Sequence, residues 1–131
     1  MQSIVIVGGG VAGLELATRL GRRLGARHKS RVILIDSAPT HFWKPLLHAV
    51  AAGTIDPADH MIDYARQAID NHFTFVCGEV VQVDRGARTL TVRSRYDDAP
   101  DAHTVIGYGR LVLAYGSVTN FFGIPGAQEH C

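Results

Sequence analysis

The sequence predicts an α/β fold in which an antiparallel β-meander is inserted into a domain with a central parallel sheet. Two apolar runs, Ile4–Val7 and Val32–Ile35, flank a helical pattern, which is typical of buried parallel strands joined by a crossover helix. Farther along, Thr89–Arg93 alternates in polarity with period two, as a half-exposed antiparallel strand does. The 131 residues, of which 47% are hydrophobic and 19% charged, are enough for one folded domain with a hydrophobic core.

The first strand, residues 3–8, leads directly into the pattern Gly8-x-Gly10-x-x-Gly13 and a helix over residues 11–25. Gly8 would allow the tight turn, Gly10 would let the backbone approach a pyrophosphate, and Gly13 would let the helix lie close to the strand. The helix start would present free N–H groups and a positive dipole end to phosphates. In this context the pattern is the dinucleotide-binding fingerprint of a Rossmann-like fold; the alternative is a strand–helix turn without a ligand.

The second strand, residues 31–36, ends on an acid, Asp36. A carboxylate at this place can accept hydrogen bonds from both hydroxyls of a ribose, and it would repel a 2′-phosphate. The strand end therefore favours a dinucleotide without that phosphate. The alternative for Asp36 is an acid that only faces water.

The segment before the meander is predicted to be mostly helical. Ala38–Thr40 reads as a turn, and His41–Gly53 begins irregular and becomes helical at Leu46–Ala52. Pro57 fits the first turn of a further helix over residues 58–70. The apolar residues predicted to share one side of that helix are Ile62, Ala65 and Ile69.

The second half of the chain changes from helical to strand patterns. The predicted elements are strands at 73–83, 89–93, 103–106 and 111–114, a turn at 84–86 and a polar loop at 96–101. A plain nicotinamide-binding Rossmann half would instead continue with alternating parallel strands and helices. The chain is therefore expected to insert an antiparallel meander before it returns to the buried strand at 111–114.

Composition excludes several classes of function. A net charge of +1 gives no electrostatic case for nucleic acid, and no apolar run approaches the roughly 20 residues of a membrane span. Met1–Ser3 leads straight into a core strand and leaves no room for a signal peptide, so a cytoplasmic location is expected. Cys77 and Cys131 form no CxxC pair, and the seven histidines lack ligand-like spacing, so no metal is expected.

The chain resembles the FAD-binding domain of the pyridine nucleotide-disulfide oxidoreductase-like flavoproteins, and within them the type II NADH dehydrogenases, which are NADH:quinone oxidoreductases. The segments that carry the resemblance are Val5–Leu14, His41–Leu47, Gly78–Asp84, Leu111–Asn120 and Gly123–Gly126. The first segment is shared by many flavoproteins, whereas the Pro-Leu-Leu segment and the Gly-Ser-Val-Thr-Asn run are typical of a much smaller group of them. The resemblance implies a Rossmann-like FAD-binding domain.

The resemblance also implies which positions meet FAD. Those positions are Gly8, Gly9, Gly10, Val11, Ala12, Gly13, Asp36, Ser37, Lys44, Pro45, Val80, Gly116 and Ser117. The glycine loop would hold the pyrophosphate, and Asp36 with Ser37 would bind the adenosine ribose. Val80 would meet the adenine through its backbone.

Toward the flavin, the resemblance implies that Lys44–Leu47 lies near the ring and that Gly116 and Ser117 pass close to the cofactor. The alternative for Lys44–Leu47 is an ordinary loop that enters a helix. Tyr115 departs from the family, where a smaller residue or a leucine is commoner, so packing on this side would differ. No catalytic residue is named, because the flavin itself carries the chemistry of hydride transfer.

Members of the resembled family are about three times as long as this chain. The sequence has no second GxGxxG, no later Gly-Asp motif for the flavin half of FAD and no amphipathic membrane anchor. Residues 1–131 are therefore expected to be the N-terminal portion of an FAD/NAD(P)-binding domain. Such a piece is predicted to be inactive alone and to form a homo-oligomer.

The function implied for the whole protein is electron transfer from NADH through FAD to a quinone, peripheral to the cytoplasmic face of the inner membrane. Two alternatives remain open at this point. One is a sulfide:quinone reductase-like flavoprotein, which would need reactive cysteines near the flavin. The other is a non-catalytic nucleotide-binding module.

Overall fold

The computed structural model describes residues 2–42, 46–95, 102–117 and 120–130. These residues form the strands β1 Gln2–Val7, β2 Ser30–Asp36, β3 Thr40–Phe42, β4 Met61–Asp63, β5 Thr74–Asp84, β6 Thr89–Ser94, β7 His103–Gly107 and β8 Arg110–Leu113. The α-helices are α1 Val11–Leu20, α2 Leu47–Ala51, α3 Tyr64–Asn71 and α4 Ala127–His130. A π turn at Gly21–Gly25 extends α1, and a 3₁₀ turn occupies Pro57–His60.

The main sheet has six strands in the order β7-β6-β5-β2-β1-β8. β5, β2, β1 and β8 are parallel, whereas β5, β6 and β7 are antiparallel. β5 serves both parts, because Thr74–Cys77 pairs with β2 and Gly78–Asp84 pairs with β6. The predicted parallel sheet with an inserted antiparallel meander is confirmed.

The parallel strands are covered on both faces. Ile6 and Leu34 belong to one core cluster with Ala17 of α1 and Tyr64 of α3. The side chains that alternate with them pack instead against the meander, in a second cluster that contains Val5, Val7, Ile33, Ile35, Leu90 and Val92. Because only two residues connect β7 to β8 at opposite ends of the sheet order, the meander folds back over the parallel strands. The result is three layers of helices, parallel sheet and meander.

The strands of the main sheet begin and end within one residue of their predicted bounds. The predicted helix at 46–52 is also confirmed as α2, and the helix at 11–25 as α1 with its π turn. The helix widens at Gly21, where a Cβ would overlap the carbonyl oxygen of Asn71. The predicted loop at 96–101 lies outside the described residues.

The predicted helix over 58–70 is wrong in its first half. Met61–Asp63 forms β4, which pairs antiparallel with β3, and the Asp63 carboxylate then caps α3 by accepting the Arg66 N–H at 2.8 Å. The grouping of Ile62, Ala65 and Ile69 is wrong as well: Ile62 lies on β4, and Ala65 and Ile69 are exposed. The strand pairing and the cap set the phase of α3, which therefore buries Tyr64, Ala68 and Asn71.

Candidate functional site

The glycine loop between β1 and α1 is shaped by close backbone packing. Gly8 has a φ of 101° and donates its N–H to the Ile35 carbonyl at 2.8 Å, and a Cβ on it would lie 2.5 Å from the Ala114 oxygen. A Cβ on Gly13 would overlap the carbonyl oxygen of Gly8. By contrast, a Cβ on Gly10 would meet no described atom within 4 Å. Gly8 and Gly13 are thus required by the fold, whereas Gly10 opens onto space that a ligand can use.

The N-terminus of α1 lies at this loop. The Gly10 carbonyl accepts the Leu14 N–H at 2.9 Å, so the N–H groups of the first turn have no partner within the helix. Gly10, as the capping residue, offers no side chain, and the first turn contains no acidic residue. The partial positive charge of the helix start is therefore available to an anion.

Asp36 joins the loop to the segment that follows β2. Its Oδ2 accepts the Gly9 N–H at 2.6 Å and its Oδ1 accepts the Ala38 N–H at 2.8 Å. The alternative of an acid that only faces water therefore does not describe it. Each carboxylate oxygen has a second lone pair, so these bonds leave acceptor capacity for a ribose.

Tyr64, at the start of α3, is a residue of this site that the sequence reasoning missed. It is 1% exposed and donates its hydroxyl to the Gly9 carbonyl at 2.6 Å. A Cβ on Gly9 would lie 2.5 Å from the Tyr64 ring and hydroxyl oxygen. Burial, with a smaller contribution from the charge of Asp36, raises the pKa of Tyr64 well above its usual range, so the hydroxyl keeps its proton.

A cleft of about 880 Å³ lies at the carboxyl ends of the parallel strands. The predicted site residues that line it are Gly8, Gly10, Asp36, Ser37, Val80 and Gly116. Gly9 and Gly13 are buried beside it, Val11 and Ala12 stand exposed at the start of α1, and Ser117 directly follows Gly116. Lys44 and Pro45 lie outside the described residues. The structure thus brings six of the thirteen predicted positions into the lining of one cleft.

Sixteen further residues line the cleft, and of these the sequence analysis had placed only Leu47 and Tyr115 near the flavin. The sixteen are Val7, Ile35, Ala38, Thr40, His41, Phe42, Leu47, Tyr64, Gly78, Glu79, Val81, Gln82, Val83, Leu113, Ala114 and Tyr115. His41 and Phe42 come from β3, whose three residues are too few to show a strand period. Tyr115, which departs from the family pattern, is 71% exposed at the rim.

The described part of the chain offers neither a metal-binding cluster nor a membrane-spanning helix. No group of three or more His, Cys, Asp or Glu side chains among them could hold a metal ion. None of the helices in the described ranges is long and apolar enough to cross a membrane.

Residues 2–131 match the family described as pyridine nucleotide-disulphide oxidoreductase. The chain belongs to this family. Among pyridine nucleotide-disulphide oxidoreductase relatives, a type II NADH:quinone oxidoreductase of Haemophilus influenzae is 36% identical over 134 residues, covering 100% of this chain and 30% of the relative. A Staphylococcus epidermidis enzyme of the same name is 32% identical and is covered to the same 30%. These relatives confirm the predicted resemblance, and the chain spans about 30% of their length.

Solved structures of the family share the fold. A sulfide:quinone oxidoreductase from Aquifex aeolicus aligns with a TM-score of 0.78 at 25% identity, covering 98% of this chain and 27% of that one. NDH2 from Plasmodium falciparum, solved in complex with NADH, aligns with a TM-score of 0.79 at 19% identity over 98% of this chain and 25% of that one. These neighbours confirm the predicted flavoprotein fold class.

Proposed function

We propose that this chain forms the adenosine- and pyrophosphate-binding part of the FAD site of an NADH:quinone oxidoreductase. The observation that carries the proposal is the cleft itself, where an open glycine, an uncapped helix start and a strand-end carboxylate meet. In open α/β sheets, ligands bind at the carboxyl ends of the strands. Residues 1–131 are proposed to be the N-terminal portion of the FAD/NAD(P)-binding domain.

The groups around the cleft fit a pyrophosphate and a ribose. Gly10 lets a phosphate approach the backbone, and the first turn of α1 supplies N–H donors without a competing acid. Asp36 has acceptor capacity left for ribose hydroxyls and repels a 2′-phosphate. The proposed ligand is therefore a dinucleotide that carries a free adenosine ribose.

The adenine is proposed to lie against the wall made by Ser37 and Val80. The Arg95 guanidinium donates to the Ser37 carbonyl at 2.8 Å, and this bond ties the end of β6 to the end of β2. The exposed ion pair of Glu79 with Arg93 links β5 to β6 beside it. Because a meander strand supplies the Val80 part of this wall, the wall supports FAD over a nicotinamide nucleotide as the proposed ligand.

FAD, when bound, would supply the redox chemistry by taking a hydride equivalent from NADH and passing two electrons to a quinone. The residues of this chain would bind and orient the adenosine end, with Gly116 and Ser117 closer to the flavin. The activity for which the relatives are named, NADH:quinone oxidoreductase, supports these substrates. A peripheral position on the cytoplasmic face of the inner membrane belongs to the same proposal.

Titration calorimetry with ADP and with FAD tests the site directly. The wild-type chain is expected to bind ADP weakly, and Asp36→Asn is expected to weaken that binding. Asp70→Asn is the matched control, because Asp70 is an exposed carboxylate on α3 that lies 3.8 Å from Arg66. Absence of ADP binding by the wild-type chain would refute the proposed site. Bleaching of the flavin by NADH in the full-length protein would test the activity.

A sulfide:quinone reductase-like function is the second candidate, because the Aquifex enzyme of that activity shares the fold at 25% identity. That function would need reactive cysteines near the flavin. Cys77 lies on β5, half-buried, with its Sγ 3.8 Å from the Ser37 carbonyl oxygen on the adenosine side of the cleft. Sulfide-dependent reduction of the flavin in the full-length protein would favour this candidate over the first.

A further inference from the structure

We propose that Tyr64 is a positioning residue that fixes the orientation of the phosphate-binding loop. The inference rests on the proposed function in one respect, namely that the ligand carries a pyrophosphate. Tyr64 belongs to α3, an element that lies outside the dinucleotide fingerprint in the sequence. The structure nevertheless brings its hydroxyl to the centre of that fingerprint.

The backbone on both sides of Gly9 is held by a side chain from elsewhere in the fold. The Gly9 N–H donates to Asp36 Oδ2 at 2.6 Å, and the Gly9 carbonyl accepts the Tyr64 hydroxyl at 2.6 Å. Because a trans peptide points its C=O and N–H in opposite directions, a carbonyl fixed toward Tyr64 directs the N–H of Gly10 away from it. The hydroxyl therefore sets the direction of a donor that belongs to the open glycine of the loop.

Contacts outside the glycine loop also hold Tyr64 in place. Its backbone N–H donates to the Pro39 carbonyl at 3.2 Å, just after the segment that Asp36 binds. Its ring packs against Phe75, with ring centroids 5.0 Å apart, and stands 6.4 Å from the His41 ring. The preceding residue, Asp63, caps α3 and pairs with Thr40 across β3 and β4. Three elements of the fold thus place the hydroxyl before any ligand is bound.

Tyr64→Phe removes the hydroxyl and keeps the ring, so it tests the two contributions separately. The ring contacts stay, but the Gly9 carbonyl loses a neutral donor, and a Gly-Gly peptide without that restraint has many accessible orientations. Binding of ADP would then have to order this peptide again, and the entropy of fixing one residue of backbone corresponds to a decrease of about fivefold in the affinity for ADP. Adenosine has no pyrophosphate, so its affinity is expected to stay within about twofold of wild type.

The experiment compares Tyr64→Phe with Tyr108→Phe in the full chain. Tyr108 is the matched control, because its hydroxyl lies 3.4 Å from the Asp84 carbonyl on the meander side of the sheet. Titrations with ADP and adenosine are paired with the NMR carbonyl shift of Gly9 and hydrogen exchange at Gly10 in the free protein. Tyr64→Phe is expected to weaken ADP selectively, shift the Gly9 carbonyl and speed exchange at Gly10; Tyr108→Phe is expected to change none of these.

Two results would overturn the inference. One is equal weakening of ADP and adenosine, and the other is a lower melting temperature with unchanged ADP affinity and an unchanged Gly9 carbonyl. If the wild-type chain bound neither ADP nor FAD, the proposed function would fail, while the Gly9 and Gly10 signals would still decide whether the hydroxyl holds the loop. If Tyr64→Phe did not fold, the test would use the wild-type chain. ADP, but not adenosine, should then shift the NMR signals of the Gly9 carbonyl and the Tyr64 hydroxyl proton. Absence of these shifts would count against the positioning role.

Discussion

Replacing Asp36 by alanine should weaken both the fold and the ligand site. The substitution removes the acceptor of two backbone N–H groups, those of Gly9 at 2.6 Å and Ala38 at 2.8 Å. Gly9 is buried, so its N–H would lose a partner that water cannot easily replace, whereas the half-buried Ala38 can turn to solvent. The bond to Gly9 therefore decides the size of the effect on stability.

The magnitude follows from this difference in burial. A buried donor left without a partner costs about 1–3 kcal/mol, and the half-buried Ala38 contributes less. We therefore expect Asp36→Ala to lower the free energy of unfolding by about 1–3 kcal/mol. Loss of the proposed ribose acceptor should separately weaken FAD binding to the full-length protein by about 1–3 kcal/mol. Asp36→Asn keeps one acceptor oxygen, so its free energy of unfolding and its affinity for FAD should both fall between those of Asp36→Ala and wild type.

Urea unfolding followed by circular dichroism measures the first effect, and titration with FAD measures the second. Asp70→Asn serves as the control for charge, since an exposed pair of this kind contributes about 0–1 kcal/mol. If Asp36→Ala and Asp70→Asn had equal unfolding midpoints, the two hydrogen bonds of Asp36 would contribute nothing. An FAD dissociation constant unchanged by Asp36→Ala would refute the ribose role.

Four further outcomes are expected. Gly13→Ala should lower the melting temperature of the chain, because its Cβ would overlap the Gly8 oxygen. Gly10→Ala should keep a free energy of unfolding within about 1 kcal/mol of wild type but bind ADP less well. Equal melting temperatures for the two variants would contradict this expectation. Because the fold raises the pKa of Tyr64, its contribution to stability is complete below its unfolded pKa of about 10 and is lost as the pH rises further. Above that pH, Tyr64→Phe should therefore lose less stability than wild type, which urea titrations at several pH values measure. Gel filtration should leave the chain without bound FAD, and a yellow protein with stoichiometric FAD would show that residues 1–131 bind more of the cofactor than proposed. Light scattering should show a homo-oligomer, because apolar side chains at and after β8 are exposed, and a monomer at every micromolar concentration tested would exclude it; these side chains are Leu113, Tyr115, Phe122 and Ile124.

The elements that the sequence predicted well are those with a repeating pattern and a clear end. β1 and β2 are apolar runs that end at Gly8 and Asp36, and β6 alternates with period two, so their bounds agree with the structure to within one residue. The glycine spacing likewise predicted the turn and the close packing of α1. In each case, neighbouring residues in the chain determine the geometry.

The β3–β4 pair could not be predicted in the same way. Each strand has three residues, which is too short for a period, and their pairing joins Phe42 to Met61 across an intervening helix and turn. Pro57 and the apolar spacing after it suggested one continuous helix. Strand pairing and the Asp63 cap overrode that local preference, so α3 starts only at Tyr64.

Gly9 shows how a distant contact can determine a residue inside a motif that looks purely local. It occupies a variable position of Gly-x-Gly, so the fingerprint itself does not call for glycine there. In the fold, the Tyr64 ring occupies the space that a Cβ at position 9 would need, and the Tyr64 hydroxyl binds the Gly9 carbonyl. Tyr64 at the start of α3 thus explains the second of three consecutive glycines. In this chain the glycine loop is therefore shaped both by the β1–α1 unit and by α3, although only the β1–α1 unit is visible in the sequence.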